Sequence, residues 1–134
     1  MTTTSIQTVR APRRIVAWSL QVLDAAAFSA AGAAKLLAVP MMVALFDQLG
    51  FGQWFRVVTG LVEITGVLAL LYPRFAALGG LWLGTTMLFG VLTHLFILHT
   101  NPAPALTLGF ISFLIAYLRR DELVSLIRQV LGRL

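Results

Sequence analysis

Four ionisable side chains lie inside long apolar runs of this chain: Asp24, Lys35, Glu63 and His94. In the hydrocarbon of a bilayer each costs about 2.5–3.5 kcal/mol on insertion scales, so residues kept there need partners or a task. Lys35, Glu63 and His94 supply a cation, a carboxylate and an imidazole, groups that move protons or hold a polar head group. Glu63, His94 and Asp24 are thus candidate acid–base catalysts, and Lys35, Glu63, His94 and Arg56 are candidate ligand-binding residues. A second reading stands beside this one. Lys35 and Glu63 can form an ion pair between helices that fixes their register, and His94 can simply bond a backbone carbonyl. Arg56 lies two helical turns from Glu63, as a distant partner or as a surface anchor. Asp24 has no evident basic partner at its depth, so it is expected to face inward, to carry a proton and to bond a neighbouring Thr or Trp.

Helix rise sets the depth of these groups. Lys35 falls just inside the outer end of a first span, Glu63 about 10 Å below Arg56 in a second, and His94 one turn from the outer end of a third. Asp24 sits about 16 Å from Lys35, on nearly the same face of the first helix. Three helices would therefore each bring one ionisable group to a polar pocket in the outer half of the molecule.

The elements that must position them are membrane helices. Of 134 residues, 59% are hydrophobic and only 11% charged. Soluble domains carry about a quarter charged residues, and this chain has too few polar groups to cover a soluble surface. The expected fold is all-α, an integral membrane four-helix bundle. Its spans cover about 15–38, 57–72, 75–98 and 105–118, with an interfacial helix over about 41–49 on the outer side. Pro40 suits a first helical position there and Gly50 the position past a helix end. Residues 1–14 read as a disordered cytoplasmic N-terminus, and 119–134 as a cytoplasmic amphipathic tail that either lies in the interface or continues the fourth helix. A cleaved signal peptide fits less well, because the first apolar run is too long and Asp24 interrupts it. The small residues of the first helix and Gly80-xxx-Gly84 in the third predict close packing within the bundle.

Orientation follows from the arginines. With four spans, Arg10, Arg13, Arg14, Arg74, Arg119, Arg120, Arg128 and Arg133 share one side, leaving Lys35 and Arg56 near the other. The basic side is cytoplasmic, so both termini are expected inside, in a cell membrane (inner or plasma membrane). The net charge of +5 sits at helix ends rather than on one basic face, which argues against nucleic acid. The chain has no cysteine, which excludes disulfides and thiolate metal sites. His94 and His99 are too close on one helix to clasp a haem from two sides, no metal-ligand spacing occurs, and phosphate-loop and nucleophile-elbow motifs are missing.

Several segments together carry a family resemblance. They are Gly32-Ala33-Ala34-Lys35-Leu36-Leu37, Pro40-Met41-Met42, Phe46-x-x-Leu49-Gly50, Trp54-Phe55-Arg56-Val57-Val58-Thr59-Gly60-x-x-Glu63-x-x-Gly66, Leu70-Leu71-x-Pro73 and Thr93-His94. Their order and spacing over roughly residues 20–118 resemble the DoxX-like family. The resemblance implies a small four-helix membrane protein and highlights Lys35, Glu63 and His94. It also implies a link to redox-associated membrane complexes, because the family takes its name from a subunit of a thiosulfate:quinone oxidoreductase, while distant relatives act as assembly chaperones. Asp24 is not among the residues it highlights.

Three functions are therefore expected in competition. The first is a quinone- or lipid-binding subunit of a redox-linked membrane complex, with no intrinsic cofactor and quinone as the candidate ligand. The second is an acid–base isomerase or epoxide-opening enzyme on a hydrophobic substrate, using Glu63 and Asp24. The third is a non-catalytic membrane assembly factor. The expected partners are the lipid membrane, a hydrophobic small molecule, and other complex subunits or further copies of the chain.

Overall fold

The computed structural model describes the backbone of residues 2–134 and the side chains from residue 11 onward. Within these bounds the chain is almost entirely helical, with short connections between the helices. Helix α1 spans Thr2–Leu36, α2 Pro40–Leu49, α3 Gln53–Leu71, α4 Ala76–Thr93, α5 Ala103–Leu118 and α6 Arg120–Leu131. A 3₁₀ turn, Pro73–Phe75, leads into α4, and a π turn, His94–Leu98, closes it. Three runs are long and apolar enough to cross a membrane: Ala11–Leu36, Gln53–Leu71 and Pro73–Leu98. Helix α5 is equally apolar but has only 16 residues, which is about 24 Å of helix against the roughly 30 Å of a bilayer core.

Helix α1 packs on α3, α3 on α4, α4 on α5, and α5 back on α1. The shared core is Ala25, Phe28, Val67, Leu70, Leu83 and Ile115. Outside it, leucines, valines and aromatics on every long helix are exposed, for example Leu23, Leu61, Leu68, Phe89 and Phe110. An apolar outer surface around a small core is the pattern that lipid, not water, tolerates. Glycines set the closeness of the helices. A Cβ on Gly79 would stand 2.5 Å from the backbone nitrogen of Leu70, and one on Gly80 would stand 2.5 Å from the Ser112 carbonyl oxygen. The Gly80-xxx-Gly84 pair therefore faces α5, within the molecule, with Gly84 against the Phe113 ring.

The helix ends have local causes. Pro40 sits in the first turn of α2, and Gly50 closes that helix in the left-handed conformation, φ 78°. The break between α5 and α6 falls at Arg119, φ −102° and ψ 11°, so the tail is a separate helix. At the other end of the sequence, helix α1 takes in the segment 1–14 that sequence reading assigns to disorder, from Thr2 onward. Pro12 does not stop it. Its ring removes one amide donor, but nearby Ala17 is 1% exposed in the core and Arg13 bonds Asp121 at the start of α6 at 3.3 Å, which tie this turn down.

Two ends of the molecule result. One gathers the start of α1, the Pro73–Phe75 turn, the end of α5 and α6, where Arg13 meets Asp121 and Arg74 donates to Gln129. The other gathers the end of α1, α2, the start of α3 and the π turn.

Candidate functional site

At the α2 end, helices α1 and α3 cross through facing glycines. A Cβ on Gly32 would lie 3.3 Å from the Gly60 carbonyl oxygen, and one on Gly60 would lie 3.2 Å from that of Gly32. Each glycine stands three residues before a charge: Gly32 before Lys35, Gly60 before Glu63. The two helices run in opposite directions, and side chains lean toward their own helix N-terminus. Lys35 and Glu63 therefore lean toward each other. Lys35 Nζ donates to Glu63 Oε1 at 3.1 Å and to Oε2 at 3.0 Å. The side chains are 13% and 4% exposed, so the pair is bidentate and largely removed from its surroundings.

Arg56 completes this end without touching Glu63. Its Nη1 donates to the Lys35 carbonyl oxygen in the last turn of α1, which also accepts from the Ala38 amide at 3.3 Å, and its Nε donates to Gln53 Oε1 at 2.7 Å. Gln53 in turn donates to Asp47 Oδ1 at 2.6 Å and to the Val43 carbonyl oxygen at 3.0 Å. Arg56 is thus a buried clamp joining α1, α3 and α2, neither a surface anchor nor a partner of Glu63.

His94 goes elsewhere. It opens the π turn, and its Nδ1 lies 2.7 Å from Thr100 Oγ1. The wider π turn brings the Thr100 amide to the His94 carbonyl oxygen at 2.9 Å, and His99 follows in the left-handed region, φ 51°. The histidine pins the loop between α4 and α5. So the three residues expected around one polar pocket divide into a closed ion pair and a loop contact. An α-helical wheel could not foresee this, because the π turn changes the direction in which His94 leaves its helix.

Asp24 lies toward the other end and is fully buried, as is its neighbour Gln21. The partner of Asp24 is Ser112 of α5, at 2.7 Å from Oδ2, rather than a Thr or Trp. Its second oxygen, Oδ1, has no partner. Gln21 donates to the Leu70 carbonyl oxygen at 2.7 Å and accepts from Arg119 Nε at 2.8 Å. Arg119, 8% exposed, pairs with Glu122 at 2.7 Å and stands over the Trp18 ring at 5.1 Å. In the sequence Arg119 reads only as an orientation signal, and Gln21, Ser112 and Glu122 do not stand out. One signal is there: Gln21 and Asp24 are three apart, hence on one helix face, inside an apolar run.

One groove opens on the apolar flank between α3 and α4, lined by Val62, Leu78, Leu81, Trp82, Thr85 and Phe89. Two of its polar side chains are engaged: Trp82 Nε1 donates to the Val62 carbonyl oxygen at 2.9 Å, and Thr86, also in the lining, donates back to the Trp82 carbonyl oxygen at 2.8 Å. Among the described residues no cluster of three or more His, Asp or Glu side chains is arranged to hold a metal.

No curated protein and no solved structure matches the chain. A family model does, over residues 19–117, which takes in the α1–α3 crossing, the Lys35–Glu63 pair and the packed helices around them. The chain belongs to the DoxX-like family and is a multi-pass membrane protein.

Proposed function

We propose that this protein is a four-pass, non-catalytic subunit or assembly partner of a membrane complex, with both termini cytoplasmic and its charged residues used to lock its own helices. The Lys35–Glu63 pair carries this reading. Both carboxylate oxygens of Glu63 accept from Lys35 Nζ, and the side chain is 4% exposed, so no face of it is free for a substrate. Asp24, the other candidate acid, is fully enclosed. An acid–base enzyme needs a carboxylate within reach of its substrate, and neither meets that requirement. The four-pass topology is supported by the clustering of Arg13, Arg74 and Arg119 at one end and of Lys35 and Arg56 at the other. Helix α5 then crosses as a short span beside the longer three, which the bilayer accommodates at modest cost.

A second reading rests on the groove between α3 and α4. Its lining suits an apolar chain such as a lipid acyl tail or the isoprenoid tail of a quinone, and the family's association with redox-linked complexes points the same way. In this reading the head group is not held by Lys35, Glu63 and His94.

Native mass spectrometry of the detergent-purified protein separates these readings. The scaffold reading expects wild type and Glu63→Gln to carry the same lipids, with Glu63→Gln less stable. A quinone bound to wild type and lost from a still-folded Glu63→Gln would overturn it. Loss of a bound lipid in Trp82→Ala alone would favour the groove.

A further inference from the structure

We propose that the buried cluster around Asp24 is a proton-binding site in the middle of the molecule, with polar side chains reaching from the α6 end to within one helical turn of it and a sealed core toward the α2 end. Hydrogens are short at this cluster. The Ser112 hydroxyl oxygen lies 2.7 Å from Asp24 Oδ2 and 2.9 Å from the Leu108 carbonyl oxygen. A hydroxyl has one hydrogen to give, and a carbonyl and an ionised carboxylate both only accept. With Asp24 ionised, the one hydroxyl hydrogen has two acceptors to serve, and each is at best half satisfied. With a proton on Asp24, both are satisfied in series: Asp24 Oδ2 donates to Ser112 Oγ, and Ser112 donates to the Leu108 carbonyl oxygen.

The second oxygen supports the same assignment. Asp24 Oδ1 is buried without a partner. As half of a carboxylate it would share a full charge with nothing to answer it. As the carbonyl oxygen of a carboxylic acid it is a single neutral acceptor, far less costly to leave unpaired. The charged groups on the packed elements do not supply an answering cation. Helix α4 carries no charged residue, and neither does α5. On α3, Arg56 and Glu63 are both committed at the α2 end, as is Lys35 of α1 itself. Toward the α6 end Arg119 binds Gln21 and Glu122, and no ion pair to Asp24 occurs among the described residues.

The surroundings give the site a direction. One turn below Asp24, Gln21 links to Arg119 and then to Glu122 on α6, where Arg119 Nη2 and Glu122 Oε2 are left without partners. These groups form a polar column from the α6 end that stops at Gln21, one turn short of Asp24. Above Asp24 the core closes with Phe28 and Leu83, both fully buried, and Val67. The reaction is the reversible transfer of one proton between solvent at the α6 end and the Asp24 carboxylate, with no other bond made or broken.

Infrared spectroscopy of the full-length protein in lipid, near neutral pH, tests this. Wild type should show the C=O stretch of a single protonated carboxyl group. That band should be missing in Asp24→Asn and displaced in Ser112→Ala. Absence of the band in wild type, or its persistence in Asp24→Asn, overturns the proposal. If Asp24→Asn does not fold, wild type grown with isotope-labelled aspartate decides the same question. The other two aspartates, Asp47 and Asp121, are exposed, so a shifted acid band assigns the proton to Asp24 and an unshifted one refutes it.

Discussion

At the residue scale, the polar groups of this protein work mainly on each other. The cost of charge in an apolar run picks out Asp24, Lys35, Glu63 and His94 from sequence alone, and the structure places each of them differently. Lys35 and Glu63 meet because the Gly-x-x-Lys and Gly-x-x-Glu segments face each other across one crossing. That geometry is written in the sequence once the helices are known to be antiparallel. The place of His94 is not legible there, because a π turn has no simple pattern in residue types. The Gln21–Arg119–Glu122 chain is hidden for a different reason: an arginine at a span end is ordinarily an orientation signal, and nothing local shows that it turns inward. Removing Gln21 should therefore be felt. Gln21→Leu deprives Arg119 Nε and the Leu70 carbonyl oxygen of partners and should lower stability by about 1–3 kcal/mol. Thermal unfolding in detergent measures it, and a loss well under that would mean Arg119 finds another acceptor.

At the element scale, glycine placement decides how the helices pack. Gly79 lies against the backbone of α3, where nothing can move aside, whereas a Cβ on Gly90 would meet only the Ala105 Cβ at 3.6 Å and a methionine end at 3.9 Å. Gly79→Ala should cost about 1–3 kcal/mol through overpacking. Gly90→Ala should be neutral or stabilising by up to about 1 kcal/mol, because alanine is the better helix former. Comparing melting temperatures of the two variants checks the packing directly, and equal losses would contradict it. The bounds of α2 are readable from Pro40 and Gly50, which the structure uses as first-turn proline and left-handed cap. The start of α1 is not, because Arg13 and Ala17 hold that turn through contacts with residues far along the chain.

At the scale of the whole molecule, composition alone points to a membrane, and the exposed apolar surface agrees with it. The family match over residues 19–117 covers the packed helices. The chain lacks cysteine, so single cysteines report topology cleanly. A cysteine at Ser125 on α6 should react with an impermeant thiol reagent only from the cytoplasmic side, and one at Gln48 on α2 only from the opposite side. Reaction of both from one side would overturn the four-pass arrangement. The proposed function turns on whether Lys35 and Glu63 bind each other to hold the molecule together rather than to hold a ligand. A double-mutant cycle in unfolding stability with Lys35→Met and Glu63→Leu asks this outright. Each single variant should lose about 3–5 kcal/mol by stranding a buried charge, and the double variant should recover most of it. Losses that simply add, or single variants that stay stable while losing a bound molecule, would contradict a structural role for the pair.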